Sequence, residues 1–442
     1  MKIQLSDHFG YAKLLRFTLP SIAMMIFTSI YSVVDGLFVS NFVGKTEFAA
    51  VNFIYPFLMM LGAVGFMFGT GGSALIAKTM GEGDSEKANR LFSLFVYVPL
   101  VLGIVIAVIS FIFIRPIATL MGAEGAMLDN AVTYARILLI GLPALILQFE
   151  FQSFFITAEK PQLGLFVTVG AGVTNMILDA LLTAVFPLGI AGAAIATVMS
   201  QMVGGIVPII YFSRRNTSLL HLTKTIFDGK SLLKAATNGS SELMSNISMS
   251  LVSMLYNIQL INYAGENGVA AYGVLMYVNF VFVAIFIGFS VGSAPIISFH
   301  YGAANEVELK GLLKKSIAIN AIFSACMLAA ALLLAQPLSR IFVGYDTELF
   351  DMTVRGFYFS SFSYLFSGIA IFASSFFTAL NNGLISAVIS FLRTLVFQTG
   401  AVIVLPMFLG IDGIWLSIVV AEFVATAVSI IFIIAMRRKY KY

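Results

Sequence analysis

The sequence predicts an all-α polytopic membrane protein of twelve transmembrane helices, arranged as two six-helix bundles related by a parallel pseudo-twofold repeat around a central cavity. Three observations predict it. Hydrophobic residues make up 60% of the 442 and charged residues 10%, against about 45–50% and about 25% in soluble domains. Apolar runs of roughly 20 residues, the length a membrane helix needs, recur along the whole chain. Sliding the sequence against itself by 221 residues brings its punctuation into register. A mean hydropathy of +0.98 excludes a soluble enzyme, a nucleic-acid binder, a disulfide-stapled secreted domain and a disordered chain. The N-terminus shows no signal-peptide cleavage pattern. The single Cys, Cys326, sits in an apolar run and is expected to pack there.

Charged and Gly/Pro-rich breaks divide the chain into its spans. The first, 14–40, follows Lys13; the second, 48–77, stops at Lys78; the third, 91–114, lies between Arg90 and Arg115. The fourth and fifth, 129–157 and 162–186, flank Lys160-Pro161, and the sixth, 189–212, ends before Arg214-Arg215. After the polar stretch 213–231 come 235–264, 269–299, 312–335, 350–379, 384–408 and 411–436. This predicts an N-lobe (1–212), a linker loop (213–231) and a C-lobe (232–442). The runs are too long for barrel strands.

Orientation follows from the basic residues. Nineteen of the 25 Lys and Arg fall near 2–16, 78–90, 160, 214–234, 310–315 and 437–441, against Lys45, Arg115 and Arg340 in the alternate loops. Both termini and the linker are therefore expected in the cytoplasm. The net charge of +4 has the same origin and does not call for nucleic acid.

The repeat sets Gly44–Ala50 on Gly265–Ala271, Gly71 and Gly81 on Gly292 and Gly302, Phe155, Thr157 and Ala158 on Phe376, Thr378 and Ala379, and Leu188-Gly189-Ile190 on Leu409-Gly410-Ile411. Six spans per copy start both copies on the same side. The pseudo-twofold axis then lies along the membrane normal, and a solute site is expected between the halves.

Within a span an ionisable side chain costs at least about 2.5–3.5 kcal/mol, which makes it a functional candidate. Asp35 in span one, Asp179 in span five and Thr197 in span six each lie six to eight residues from the outer end of their span. At 1.5 Å per residue they reach a common depth of about 10 Å. Tyr31 and Asp35, and Asn175 and Asp179, are i, i+4 pairs that share helix faces. Two carboxylates, an amide oxygen, a hydroxyl and a phenol suit Na⁺ at Asp35, Asn175, Asp179 and Thr197, and equally suit a stored proton. The alternative is a purely structural polar cluster. The second copy has Tyr256, Val396, Gly400 and Ile418 at the matching places, so coupling is expected in the N-lobe alone.

Glu242, Asn246, Ser250, Ser253 and Asn257 give span seven a polar face, with Tyr256 beside it, and are expected to line a cavity. Glu150 and Gln152 in span four are candidates for the same cavity. Glu150 with Gln148 and Gln152, Arg393 with Gln398 in span eleven, and Glu422 in span twelve also read as paired packing charges, the alternative to a cavity role for Glu150. Pro20 is a candidate hinge in span one. Gly44-Lys45-Thr46 imitates the end of a phosphate loop, but Val39 occupies the place of its first Gly, so neither a nucleotide site nor an ATPase subunit is implied.

Pro20, Asp35, Asn175-x-x-x-Asp179 and Gly192-Ala193-Ala194-Ile195-Ala196-Thr197, with the glycine-terminated second and eighth spans, resemble the multidrug and toxic compound extrusion (MATE) family along essentially the whole chain. The resemblance implies a V-shaped, monomeric, multi-pass transporter of the plasma membrane, not an enzyme. It would need no cofactor and would export amphipathic, cationic small molecules in exchange for H⁺ or Na⁺, with the cation at the Asp35–Asp179 positions. A lipid-linked oligosaccharide flippase of the same superfamily is the alternative. That function would need a cavity lined by basic residues such as Arg393, Arg136 and Arg355.

Overall fold

A computed structural model describes residues 3–38, 42–43 and 45–442. The helices in chain order are α1 (Tyr11–Phe38), α2 (Lys45–Gly81), α3 (Ser85–Leu120), α4 (Gly125–Thr157), α5 (Pro161–Asp179), α6 (Gly189–Ser213) and α7 (Gly229–Asn238). They continue as α8 (Ser240–Gly302), α9 (Glu306–Val343), α10 (Thr347–Ser360), α11 (Tyr364–Ala379), α12 (Gly383–Phe391), α13 (Gln398–Leu409) and α14 (Ile411–Tyr440). Two π-helical turns, Ala180–Val185 and Leu392–Phe397, extend α5 and join α12 to α13. Among the described residues, eleven helical stretches are long and apolar enough to cross a membrane.

One of the eleven counts twice. The 63 residues of α8 would run about 95 Å if straight, three bilayer thicknesses. Its direction changes at Gly265, whose φ of 62° and ψ of −152° only glycine adopts without strain. The total is twelve spans, six on each side of the linker. The repeat persists in the backbone: Gly189 and Gly410, 221 positions apart, both have positive φ, as do Gly83 and Ala304.

The polar stretch differs from its expected bounds. Asp228 accepts hydrogen bonds from the Lys230 and Ser231 amides and so starts the short helix α7 at Gly229. Span seven begins at Ser240, not 235, because the chain bends at Gly239, which packs directly on the Met67 backbone of α2. Cys326 also departs from expectation: it is exposed on the surface of α9.

The lobes meet most closely at the end that carries both termini. Gly81 of α2 presses on the Phe299 carbonyl of α8, and its repeat partner Gly302 presses on the Lys78 carbonyl of α2. Gly288 and Gly292 of α8 lie against Ser21, Ile22 and Thr18 of α1. A core of Leu5, Phe9, Leu14 and Phe17 with Phe289, Phe372, Phe376 and Tyr442 closes the seam from below. The N-terminal segment spans it: the Leu5 amide donates to Glu159 of the N-lobe at 2.7 Å, and the Phe9 amide donates to Glu308 of the C-lobe at 2.9 Å.

Candidate functional site: an acid cluster and an interlobe cavity

The first constellation lies within the N-lobe. Asp35 stands one turn after Tyr31 on α1, and Asp179 one turn after Asn175 at the end of α5, where the helix changes to a π turn. Such turns interrupt the regular hydrogen-bond ladder and are frequent at functional positions. Gly172 lets Phe27 and Tyr31 lie against α5. Asp35 is thereby within side-chain hydrogen-bonding reach of Asp179 and Asn175, with Tyr31 beside it. The Thr197 hydroxyl on α6 donates to the Ala193 carbonyl at 3.1 Å and lies within reach of the Tyr134 hydroxyl.

Two members of the cluster were not anticipated. Tyr134 of α4, 1% exposed, faces Asp35 and Asp179, and Tyr55 of α2 lies near Tyr31 and Asp35. Nothing in their local spacing marks them among 16 tyrosines.

Donors are scarce at this spot. Asp35 Oδ1, Asn175 Oδ1 and both carboxylate oxygens of Asp179 are buried without a hydrogen-bond donor. Ionised carboxylates only accept, and a buried acceptor left alone costs free energy. One proton shared between the acids, or one hard cation among the oxygens, satisfies several of these atoms at once. Among the described residues no group of three or more His, Cys, Asp or Glu is placed to hold a metal ion.

The second constellation is a cavity of about 390 Å³ between the lobes, beyond the glycine seal. Met25, Thr28 and Ser29 of α1, Phe66, Thr70 and Ser73 of α2, and Gln152 and Ser153 of α4 form the N-lobe wall. Glu242, Asn246, Ser253 and Tyr256 of α8 face them, so four of the five cavity candidates (Glu242, Asn246, Tyr256 and Gln152) line it. Ser250 and Asn257, from the same predicted polar face, do not. Tyr256 stacks on Tyr272 with centroids 5.0 Å apart, and Met249, Met276, Phe280 and Trp415 add a broad, adaptable apolar surface.

Glu150 does not reach this cavity, contrary to expectation. Its α-carbon packs on Gly69 of α2, the residue is wholly buried, and neither carboxylate oxygen has a partner. Positions two apart on a helix point about 200° apart, so Gln152 faces the cavity and Glu150 does not. Arg393 and Glu422, read as packing charges without assigned partners, pair with each other, and both also line the cavity, a placement that packing charges did not foretell. Of the other basic candidates, Arg355 pairs with Asp412 at 2.6 Å and Arg136 lies over the Phe111 ring, both away from the cavity. Helix α1 runs unbroken through Pro20, next to the contacts of Thr18, Ser21 and Ile22 with α8. Lys2, Val39 and Gly44 lie outside the described residues.

Comparison with known proteins gives three consistent findings. The MatE family model matches residues 20–181 and 243–403, one match in each lobe. The multidrug export protein MepA of Staphylococcus haemolyticus (strain JCSC1435) is 25% identical over 431 residues, covering 97% of this chain and 94% of that protein. Two solved structures share the fold. A MATE protein in complex with MaL6 is 23% identical with a TM-score of 0.93, covering 98% of both chains. A multidrug resistance MATE family transporter of the MOP superfamily in an outward-facing conformation is also 23% identical, with a TM-score of 0.92, covering 98% of this chain and 97% of that one.

Proposed function

Because this chain belongs to the MatE family of membrane transporters, we propose that it is a multidrug efflux antiporter that exchanges an amphipathic organic cation for H⁺ or Na⁺. The observation that carries the coupling is the set of donor-less buried oxygens on Asp35, Asn175 and Asp179. Export of drugs is what the MepA relatives are named for, and the cavity's Met- and aromatic-rich walls suit amphipathic solutes of varied shape.

With the termini in the cytoplasm, the glycine seal closes the inner end and this conformation faces outward. A proton or Na⁺ entering from outside binds at the Asp35–Asp179 cluster and lowers its negative charge by one. The solute occupies the interlobe cavity from the inside. Exchange requires only that cation and solute bind the two lobe arrangements with different affinities. A kink at Pro20 is one way for α1 to carry the change between them. The flippase alternative fares worse, because the one basic side chain that lines the cavity among the described residues, Arg393, is already held by Glu422.

The test is efflux of a cationic dye from proteoliposomes under separately imposed H⁺ and Na⁺ gradients. Asp35→Asn and Asp179→Asn are expected to abolish gradient-driven export while the protein still inserts and melts normally. Full transport by both variants would refute the site.

A further inference from the structure

Among the described residues, three charged side chains line the cavity: Glu242 from α8, Arg393 from the second π turn and Glu422 from α14. Arg393 Nε donates to both Glu422 oxygens, at 3.0 and 2.9 Å, and Nη2 lies 2.9 Å from Oε1. The Glu422 side chain is 2% exposed, the Arg393 side chain 17%. Among the described residues, no basic side chain lies within ion-pair distance of Glu242. The pair has no N-lobe counterpart: Gly172 and Gln201 stand 221 positions earlier.

A buried ion pair is a costly way to hold helices together, since neutral or apolar replacements are often as stable. Its placement on the cavity wall suggests another use. We propose that Glu422 is a specificity-determining residue that masks Arg393. By engaging the guanidinium along one edge, it keeps the cavity's lone basic group from opposing a cationic solute. Glu242, which forms no ion pair and feels Arg393 only at longer range, is left as the unpaired acid, and in its ionised form it gives the lining one net negative charge, matched to a monocation. The inference rests on the reading of this cavity as the solute site and names what sets the charge of that solute.

The experiment is equilibrium binding to purified protein, by fluorescence anisotropy, of a rhodamine monocation and a sulfonated anionic dye of similar size. Glu422→Gln exposes Arg393 beside Glu242. It is expected to weaken the cation by about tenfold or more and to gain measurable affinity for the anion. Arg393→Gln should tighten the cation, and Arg393→Gln/Glu422→Gln, which restores a single net negative charge, should return cation affinity towards wild type and lose the anion again. A folding defect cannot produce a gain of anion binding, so that gain separates masking from a structural role. If wild type binds the cation and Glu422→Gln keeps its charge preference, or loses both dyes, the masking role is wrong while the export reading stands. If wild type binds neither dye, the cavity reading fails and takes this proposal with it.

Discussion

The Tyr134 hydroxyl is the only part of that residue that reaches the acid cluster, since its ring is packed among α4, α2 and α6. Tyr134→Phe therefore removes one hydrogen-bonding group and leaves the packing intact. The hydroxyl's partner is the neutral Thr197, and a hydrogen bond of that kind is worth about 0.5–1.5 kcal/mol, so coupled transport is expected to fall by about two- to tenfold with the melting temperature nearly unchanged, measured as proteoliposome flux beside a thermal melt. The contrast between Tyr134 and Asp35 shows what the sequence makes legible. A carboxylate inside an apolar run is conspicuous in one dimension, and i, i+4 spacing gives Tyr31 and Asn175 as companions. A phenol is unremarkable in a membrane helix, and its closeness to Asp35 depends on helix contacts that local spacing does not encode. Glu150 illustrates the opposite failure. It is as conspicuous as Asp179, but which way it faces is set by the rotation of α4 against Gly69.

Between α2 and α8 the two copies of one helix end meet through Gly81 and Gly302, each pressed on a carbonyl of the other's helix, Phe299 and Lys78 respectively. A methyl at either position collides with backbone, which cannot swing aside as a side chain would. Overpacking of this kind costs about 1–3 kcal/mol. Gly81→Ala and Gly302→Ala are each expected to lower the melting temperature and shift the lobes towards an arrangement open at this end, read as increased thiol labelling at cysteines placed along the seam. The N-terminal segment adds a pH-dependent contribution to the same seal. Lys13, 2.8 Å away, and the Gln4 amide hold the Asp7 carboxyl below its ordinary value of 3.8. A depressed acid stabilises fully above its unfolded pKa, and that contribution disappears as pH falls through the lower folded value. Proteolytic nicking of residues 3–9 is therefore expected to rise below about pH 4, and Asp7→Asn should nick readily at all pH values.

At the scale of the whole molecule, the twelve spans and the doubled plan are legible because bilayer thickness and hydropathy leave few alternatives to a chain of this composition. The break at Gly239, the separate helix α7 and the outward-facing Cys326 are not, because each depends on which surfaces meet in three dimensions. The plan also makes a demand that can be tested. If two rigid lobes rock about a central cavity, the seal between α1 and α8 must open once per cycle. A Cβ built on Gly292 stands 3.2 Å from Ser21 Cβ, a few tenths of an ångström short of the about 3.5–4.5 Å that a disulfide spans. With Cys326→Ser removing the native thiol, Ser21→Cys/Gly292→Cys should crosslink readily on oxidation. The oxidised protein is expected to lose transport yet still bind a cationic dye from the unsealed side, and reduction should restore flux. Full transport by the crosslinked protein would mean that solute passes without separation of α1 from α8, which would rule out rocking of the lobes about this seam.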